Sequence, residues 1–331
     1  METSKYIEIS KKHTFEDVKS FLTNILGYSF HLNKADDYYE HDYELYHYFK
    51  DQDYKFYSGV YAEIYDEEDF FIMRLWTDLV NHSYYDVDYQ NYTIELFEKY
   101  FDAIVKESDP YYWCDPNFEY NGLKREKAES GCFLAYQRFK ANMGKLNTYV
   151  YTKQFSKYPP TTDIRANLAH HPEIISNNLV VPYIISSLES YFRETFLALF
   201  KYSSNKKSFF KKYSNKYVDE LELVSEGSVD IDRALVRYMT FQNISAIDDN
   251  FKILNKEIKF KNLLHSNKSN GITLISGLER LLNLRHEIIH RSNFFAKYDR
   301  KYLDGDIALI TEIVDKFYNL LLELNGWAFD D

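Results

Sequence analysis

The spacing of apolar side chains in the first third of the chain is typical of β-structure. Large side chains roughly alternate with polar ones over residues 43–49 and 54–65, on either side of the polar turn Asp51-Gln52-Asp53. A period of two residues predicts strands, and two such runs around a short polar turn predict a β-hairpin. Residues 70–76 predict a third strand.

Two helices are predicted beside these strands. Thr14 followed by Asp17 has the pattern of a capped helix start, and apolar positions continue to Leu26 and Gly27. A second helix is predicted over residues 92–105. We therefore expect a small α+β domain with an antiparallel sheet over about residues 1–120.

The pattern becomes helical in the second half of the chain. Residues 121–150 place Ala135, Phe139 and Met143 at helical spacing, and the run Tyr158-Pro159-Pro160-Thr161-Thr162-Asp163 then breaks the pattern. Five further helices are predicted, over residues 181–202, 207–224, 231–254, 271–290 and 304–324. The sequence thus predicts an α+β protein with an acidic domain at 1–160 and an all-α helical bundle at 175–327.

Composition narrows the class of protein. The chain has 331 residues, of which 45% are hydrophobic and 18% aromatic, including 32 tyrosines, so a folded protein of two domains is expected. Two cysteines are too few for a disulfide framework, and no apolar run is typical of a signal peptide or a membrane span. These features predict a cytoplasmic protein without a membrane partner.

Charge is distributed unevenly along the chain. Residues 1–150 contain 16 Lys/Arg and 28 Asp/Glu, whereas residues 151–331 contain 24 and 23. An acidic domain repels a phosphate backbone and a nearly neutral one tolerates it. Any contact with nucleic acid is therefore expected in the second half of the chain.

The helix predicted over residues 271–290 carries the candidate chemistry. Arg285 lies near the centre of its apolar stripe, and His286 and His290 lie on the flank of that stripe. A guanidinium on a surface meant for burial is costly unless it is paired or faces a polar cavity. The apolar stripe itself consists of Leu274, Leu278, Leu281, Leu282, Ile288 and Ile289.

The segment LLNLRHEIIHRSNFF, with its Arg-x4-His spacing on the penultimate helix, resembles the HEPN family of nucleotide-binding and ribonuclease domains. The resemblance covers about residues 175–327, with Arg285 as the motif arginine, His286 as the polar residue after it and His290 as the motif histidine. It implies metal-independent RNA cleavage, without a cofactor, in a dimer whose two motifs meet at the dyad. It also implies a toxin or antiviral abortive-infection protein.

These residue types suit phosphodiester cleavage by the neighbouring 2′-hydroxyl group. Histidine can transfer a proton near neutral pH, and arginine can hold two phosphate oxygens as negative charge accumulates. On one ideal helix, residues five positions apart point about 140° away from each other. Either the helix loosens near His290 or a second protomer completes the site, and the second possibility predicts a homodimer.

Two further features bear on the motif. Glu189, beside the apolar face of the first helix of the bundle, is a candidate partner that neutralises or orients Arg285.

Arg165 and His170 repeat the Arg-x4-His spacing, but they lie between Pro160 and Pro172 and outside any predicted long helix. We interpret that second copy as a coincidence.

Two alternative functions remain open. The segment His286-Glu287-Ile288-Ile289-His290 also fits H-E-x-x-H, the helical zinc site of many metalloproteases, with Glu312 as a candidate third ligand. The motif could instead serve a non-catalytic RNA-binding or dimerisation module, in which His290 caps the helix and Arg285 pairs with a carboxylate.

A basic, aromatic segment is the candidate RNA-binding surface. Six lysines and no acidic residue occur between Lys201 and Lys216, interleaved with tyrosine and phenylalanine, a mixture that suits backbone contact and base stacking. The candidate contacts are Lys206, Lys207, Lys211 and Lys212. We expect tRNA or mRNA as the substrate, and an activator or inhibitor bound by the N-terminal domain.

Overall fold

Alternating apolar side chains along the N-terminal strands build a six-stranded antiparallel sheet in the computed structural model. The strands are β1 (Lys5–Ser10), β2 (Ser29–Ala35), β3 (Asp42–Tyr48), β4 (Val60–Asp66), β5 (Phe70–Trp76) and β6 (Ile104–Lys106). Their order in the sheet is β2-β3-β4-β5-β1-β6, and every neighbouring pair is antiparallel. The chain is described over residues 4–35, 42–50, 53–78, 82–106, 123–125, 127–152, 171–206, 231–236, 239–269 and 271–328.

Helices cover one face of this sheet. Helix α1 (Phe15–Ser20) continues into a π-helical turn at Phe21–Ile25, and α2 (Tyr84–Phe101) follows β5. Both helices begin with a capping box, in which Thr14 and Ser83 accept from the N–H of Asp17 and Asp86. Aromatic rings of the helices pack on apolar strand residues in a single buried cluster.

The carboxylate of Asp86 fixes the loop before β4 to the start of α2. Its two oxygens accept from the N–H groups of Tyr57, Ser58, Gly59 and Ser83, at 2.7 to 3.3 Å. Burial raises the pKa of Asp86, while the four N–H donors favour its charged form. The carboxylate thus satisfies backbone donors that would otherwise be buried without partners.

The structure confirms the antiparallel sheet and corrects its bounds. Strand β5 matches the predicted residues 70–76, whereas β4 begins at Val60 rather than at residue 54. Helix α2 begins eight residues before the predicted start at residue 92, because Ser83 and Asp86 cap it. The predicted helix end at residue 105 is wrong, since Asp102 adopts a left-handed conformation and Val105 belongs to β6. Strands β1, β2 and β6 were not predicted.

Helices make up almost all of the described C-terminal part. They are α3 (Lys127–Thr152), α4 (Pro172–Tyr202), α5 (Ile231–Val236), α6 (Ile244–Leu254), α7 (Phe260–Ser266), α8 (Leu274–Arg291) and α9 (Arg300–Asn325). A two-stranded hairpin, β7 (Lys268–Ser269) and β8 (Ile272–Thr273), precedes α8. The rings of Phe192, Phe251 and Phe317 meet at the core, with centroids 4.9 to 6.2 Å apart.

The helical prediction is confirmed in type and corrected in detail. The helix predicted over residues 231–254 is interrupted, because residues 239–243 are not helical and Asn243 caps α6. Helix α4 starts at Pro172, nine residues before the predicted start, and continues through Pro182. Helix α7 was not predicted, and the helix predicted over residues 207–224 lies outside the described residues.

The chain divides into two compact units between Ser130 and Gly131. The predicted boundary lay later, at residues 158–163, but α3 places Ala135, Phe139 and Met143 in the core of the second unit. Most of helix α3 therefore belongs to the second unit. None of the helices in the described ranges combines the length and the apolar character needed to cross a membrane.

Replacing Gly59 with alanine is expected to lower the free energy of unfolding by about 3 kcal/mol, because backbone strain and steric overlap add. Gly59 has a φ of +76°, and an added Cβ would lie 2.1 Å from the carbonyl oxygen of Tyr48. Urea unfolding followed by circular dichroism measures the effect. Gly144→Ala on α3 is the control, since nothing lies within 4 Å of its added Cβ. Equal stability of Gly59→Ala and wild type would contradict the steric argument.

Candidate functional site

Helix α8 is held by the packing of its apolar face. The hydroxyl of Thr273 accepts from the N–H of Ser276 at the helix start, and the buried face packs against α4 and α9. Gly277 permits close approach to α9, because an added Cβ would lie 2.6 Å from the Leu309 side chain. The buried positions of α8 are Leu274, Gly277, Leu278, Leu281 and Ile288.

Arg285 lies half-buried on α8, and its Nε atom is buried. This Nε has no hydrogen-bond partner among the residues that the structure describes. The other two arginines of α8 each have a carboxylate: Arg280 pairs with Asp306, and Arg291 pairs with Glu287 at 2.8 Å. A buried donor without a partner costs free energy, so the Nε of Arg285 is a donor that the described fold leaves unsatisfied.

His286 and His290 form an exposed pair one helical turn apart. Their ring centroids are 4.7 Å apart, and both side chains are accessible to solvent. Ile289, which was placed in the buried stripe from sequence, is 46% exposed. In the last turn of α8, Ile288 is still buried, whereas Ile289 and the two histidines face solvent.

Glu287 stabilises the end of α8. Its carboxylate accepts from Arg291 at 2.8 Å and from the Nδ2 of Asn293 at 3.3 Å, and its carbonyl accepts from the N–H of Asn293 at 3.1 Å. Ser292 closes the helix in a left-handed conformation. With two side-chain partners on its carboxylate, Glu287 is engaged at the helix end and not directed at a water between the two histidines.

The zinc alternative also requires a third protein ligand. Within the described ranges, no three His, Cys, Asp or Glu side chains lie close enough together to hold a metal ion. Glu312, the candidate third ligand, lies 3.7 Å from the Nζ of Lys316 instead. Of the described residues, the motif brings together two potential metal ligands, His286 and His290.

Glu189 does not pair with Arg285 in the structure. It lies half-buried on α4, and no hydrogen bond or ion pair joins the two side chains, which both belong to the described part. Helices α4 and α8 do pack together, but sequence periodicity identifies faces and not the height at which two faces cross.

Lys206, a predicted RNA contact, is engaged within the helical unit. Its Nζ lies 2.9 and 3.1 Å from the two carboxylate oxygens of Asp232 and 5.2 Å from the centroid of the Phe200 ring. A lysine with its charge already paired gives little to a phosphate backbone. Lys207, Lys211 and Lys212 lie outside the described residues, as do Arg165 and His170.

Two buried asparagines on α4 hold the loop that follows α8, residues 292–299. Asn178 accepts from the N–H of Phe295 at 2.8 Å and donates to its carbonyl at 3.1 Å. Asn177 donates to the carbonyl of Tyr298 at 3.1 Å. Sequence reasoning missed both residues, although two adjacent amides inside an apolar helix were the available signal.

The same loop is anchored by Tyr298. Its ring is fully buried, and its hydroxyl donates to Asp306 at 2.6 Å. Burial and then the carboxylate of Asp306 raise the pKa of Tyr298 far above its usual range, so the hydroxyl remains a donor. Because Asp306 also accepts from Arg280, this carboxylate links the loop, α8 and α9.

Comparison of the chain with protein-family models, with curated proteins and with solved structures finds no match.

Asn178→Asp is expected to destabilise the protein by about 3 kcal/mol, because a buried carboxylate cannot donate to the carbonyls of Ile174 and Phe295. Hydrogen exchange at the amides of Phe295 and Tyr298 should accelerate in parallel. Asn262→Asp, at an exposed position on α7, provides the control. Unchanged exchange in Asn178→Asp would show that the amide does not hold the loop.

Proposed function

We propose that the helical unit is a metal-independent endoribonuclease of the HEPN type, with Arg285 and His290 at its centre. The observation that supports the proposal is the buried Nε of Arg285, which has no partner among the described residues and lies on the same helix as the exposed His286–His290 pair. A cation that the fold leaves unsatisfied suits an anionic ligand. Imidazoles that face solvent nearby are available for proton transfer.

The proposed reaction is attack of a ribose 2′-hydroxyl on the adjacent phosphorus. His290 takes the 2′-hydroxyl proton as the new P–O bond forms, and Arg285 holds the non-bridging oxygens as their negative charge increases. The P–O5′ bond then breaks, and an imidazolium returns a proton to the leaving oxygen. The products are a 2′,3′-cyclic phosphate and a 5′-hydroxyl, without net oxidation or a cofactor.

A homodimer is part of this proposal. Helix α8 is regular from Leu274 to Arg291, so Arg285 and His290 point about 140° apart on one protomer. Of the two alternatives, a helix that loosens near His290 or a site completed by a second protomer, we therefore propose the second. A second copy of the chain can place its own His290 beside the Arg285 of the first copy. His286 lies on the same exposed surface as His290 in each copy. We assign the role of proton donor to the His290 imidazole of the second copy.

The biological role follows from the same proposal. A ribonuclease that cuts tRNA or mRNA in the cytoplasm needs control, and the acidic N-terminal unit is the proposed site for an activator or inhibitor. A toxin or antiviral abortive-infection effector fits this arrangement. The non-catalytic RNA-binding module is the outcome that a failed cleavage experiment would favour.

Purified protein is expected to cleave total RNA in excess EDTA and to leave cyclic phosphate ends. His290→Ala and Arg285→Ala should each reduce the rate at least about 100-fold while leaving the fold intact, because proton transfer and charge stabilisation are lost. Gel analysis with end-group mapping measures both the rate and the ends.

The matched controls for cleavage are His265→Ala and Arg193→Ala. Both side chains are exposed on helices of the same unit, and His265 also lies in the last turn of its helix. These variants should cleave like wild type. Equal loss in the controls would indicate a contaminating or nonspecific activity, and cleavage abolished by EDTA would contradict the metal-free mechanism.

A further inference from the structure

Two aromatic rings after the motif helix are exposed to solvent. Phe295, in the loop of residues 292–299, is 39% exposed, and Tyr302, in the first turn of α9, is 46% exposed. Their ring centroids are 5.6 Å apart and their planes nearly perpendicular, at 85°. Together they form an aromatic pair, Phe295–Tyr302, whose members follow His290 along the chain by five and twelve residues.

The aromatic pair is mounted on a fixed support. Asn178 bonds both backbone groups of Phe295, and the ring of Tyr298 is buried within 6.3 Å of both exposed rings. The carboxylate of Asp299 accepts from the N–H of Tyr302 at 3.1 Å. The fold therefore fixes the backbone and still leaves both rings outward, so that little ordering entropy is lost when a ligand stacks on them.

Two exposed lysines lie near the aromatic pair along the chain. Of the four Lys/Arg between His290 and Tyr302, Arg291 is paired with Glu287 and Arg300 with Asp304, which leaves Lys297 and Lys301. The acidic residue of this range, Asp299, is used in the helix cap. The side chains of Lys297 and Lys301 are exposed and make no ion pair within the described residues. Unlike Lys206, these two lysines are available to neutralise a phosphate backbone.

From this geometry we infer that Phe295 and Tyr302 form a base-stacking subsite for single-stranded RNA, with Lys297 and Lys301 contacting its phosphates. The inference rests on the proposed ribonuclease function and names the form of its substrate. Exposed rings beside unpaired cations are the combination that binds unpaired nucleotides, since every base has a face that can stack. In a duplex those faces are stacked on neighbouring bases and the subsite cannot reach them.

The subsite also changes where RNA contact is expected. The lysine-rich segment at residues 201–216 is the sequence-based candidate, but Lys206, one of its two described lysines, is paired with Asp232. The segment after α8 combines exposed rings with lysines that the described fold leaves unpaired. This segment also follows directly along the chain from the helix that carries Arg285 and His290.

The test is binding of a fluorescein-labelled 2′-O-methyl oligoribonucleotide of about 12 nucleotides, which spans one binding site and has no free 2′-hydroxyl to react. Fluorescence anisotropy should show tighter binding of the single strand than of its duplex. Phe295→Ala and Tyr302→Ala should each weaken binding about tenfold, whereas Tyr302→Phe keeps the ring and should bind like wild type. Tyr92→Ala is the matched control, because Tyr92 on α2 is 47% exposed.

The lysines are tested by the salt dependence of binding. In the double variant Lys297→Ala and Lys301→Ala, the slope of log affinity against log salt concentration should become less steep by about 1.4. That is the value for two phosphate contacts on a single strand. Equal affinity of wild type, Phe295→Ala and Tyr302→Ala, equal binding of duplex and single strand, or no binding at all would overturn the subsite. The subsite would also be overturned if Phe295→Ala or Tyr302→Ala lost dimer mass in light scattering without losing RNA affinity. That result would make the aromatic pair a contact between two copies of the chain.

The design separates the two proposals. Ring-dependent binding of the 2′-O-methyl strand by a protein that cleaves no natural RNA would support the subsite and count against the enzyme. Metal-free cleavage that continues with unchanged affinity in both ring variants would support the enzyme and overturn the subsite. Circular dichroism of each variant confirms that lost binding is not lost folding.

Discussion

The amide of Asn178 makes hydrogen bonds to both the N–H and the C=O of Phe295, and the shape of the candidate site depends on them. Most of the loop after α8 is exposed, but the Asn178 side chain that holds it is buried, and a buried amide needs hydrogen-bond partners. Tyr298 and Asp306 close the same loop from the other side. Since Asp306 also pairs with Arg280, one connected set of polar contacts fixes α4, α8, α9 and the loop between the last two.

Against that background, the polar groups left without a partner are informative. Arg280, Arg291 and Glu287 are all satisfied by near neighbours, whereas the Nε of Arg285 is buried and has none among the described residues. The unsatisfied guanidinium, the exposed imidazoles and the outward rings of Phe295 and Tyr302 all occur between residues 285 and 302, which concentrates the proposed chemistry in one segment.

In the N-terminal unit, too, a buried polar side chain satisfies backbone groups and holds a loop. Asp86 satisfies four backbone N–H groups and thereby joins the loop before β4 to the helix α2. The acidic composition of the N-terminal unit makes it a poor surface for a phosphate backbone, which is why the proposed RNA contact is placed in the helical unit. Within the helical unit, pairing of Lys206 with Asp232 shows that a run of lysines in sequence is not by itself a free positive surface.

The sequence by itself determined the α+β character, the strand at residues 70–76, the helical second half and the helix that carries Arg285 and His290, because periodicity and capping act over a few neighbouring residues. It missed β1, β2 and β6, since strand pairing is satisfied by residues distant along the chain. Only the tertiary structure decided that Lys206 is paired, that Glu189 does not meet Arg285, and that Asn177 and Asn178 hold the loop after α8. Each depends on the height at which two elements cross, which is set by packing of the whole unit and is not encoded in any local pattern.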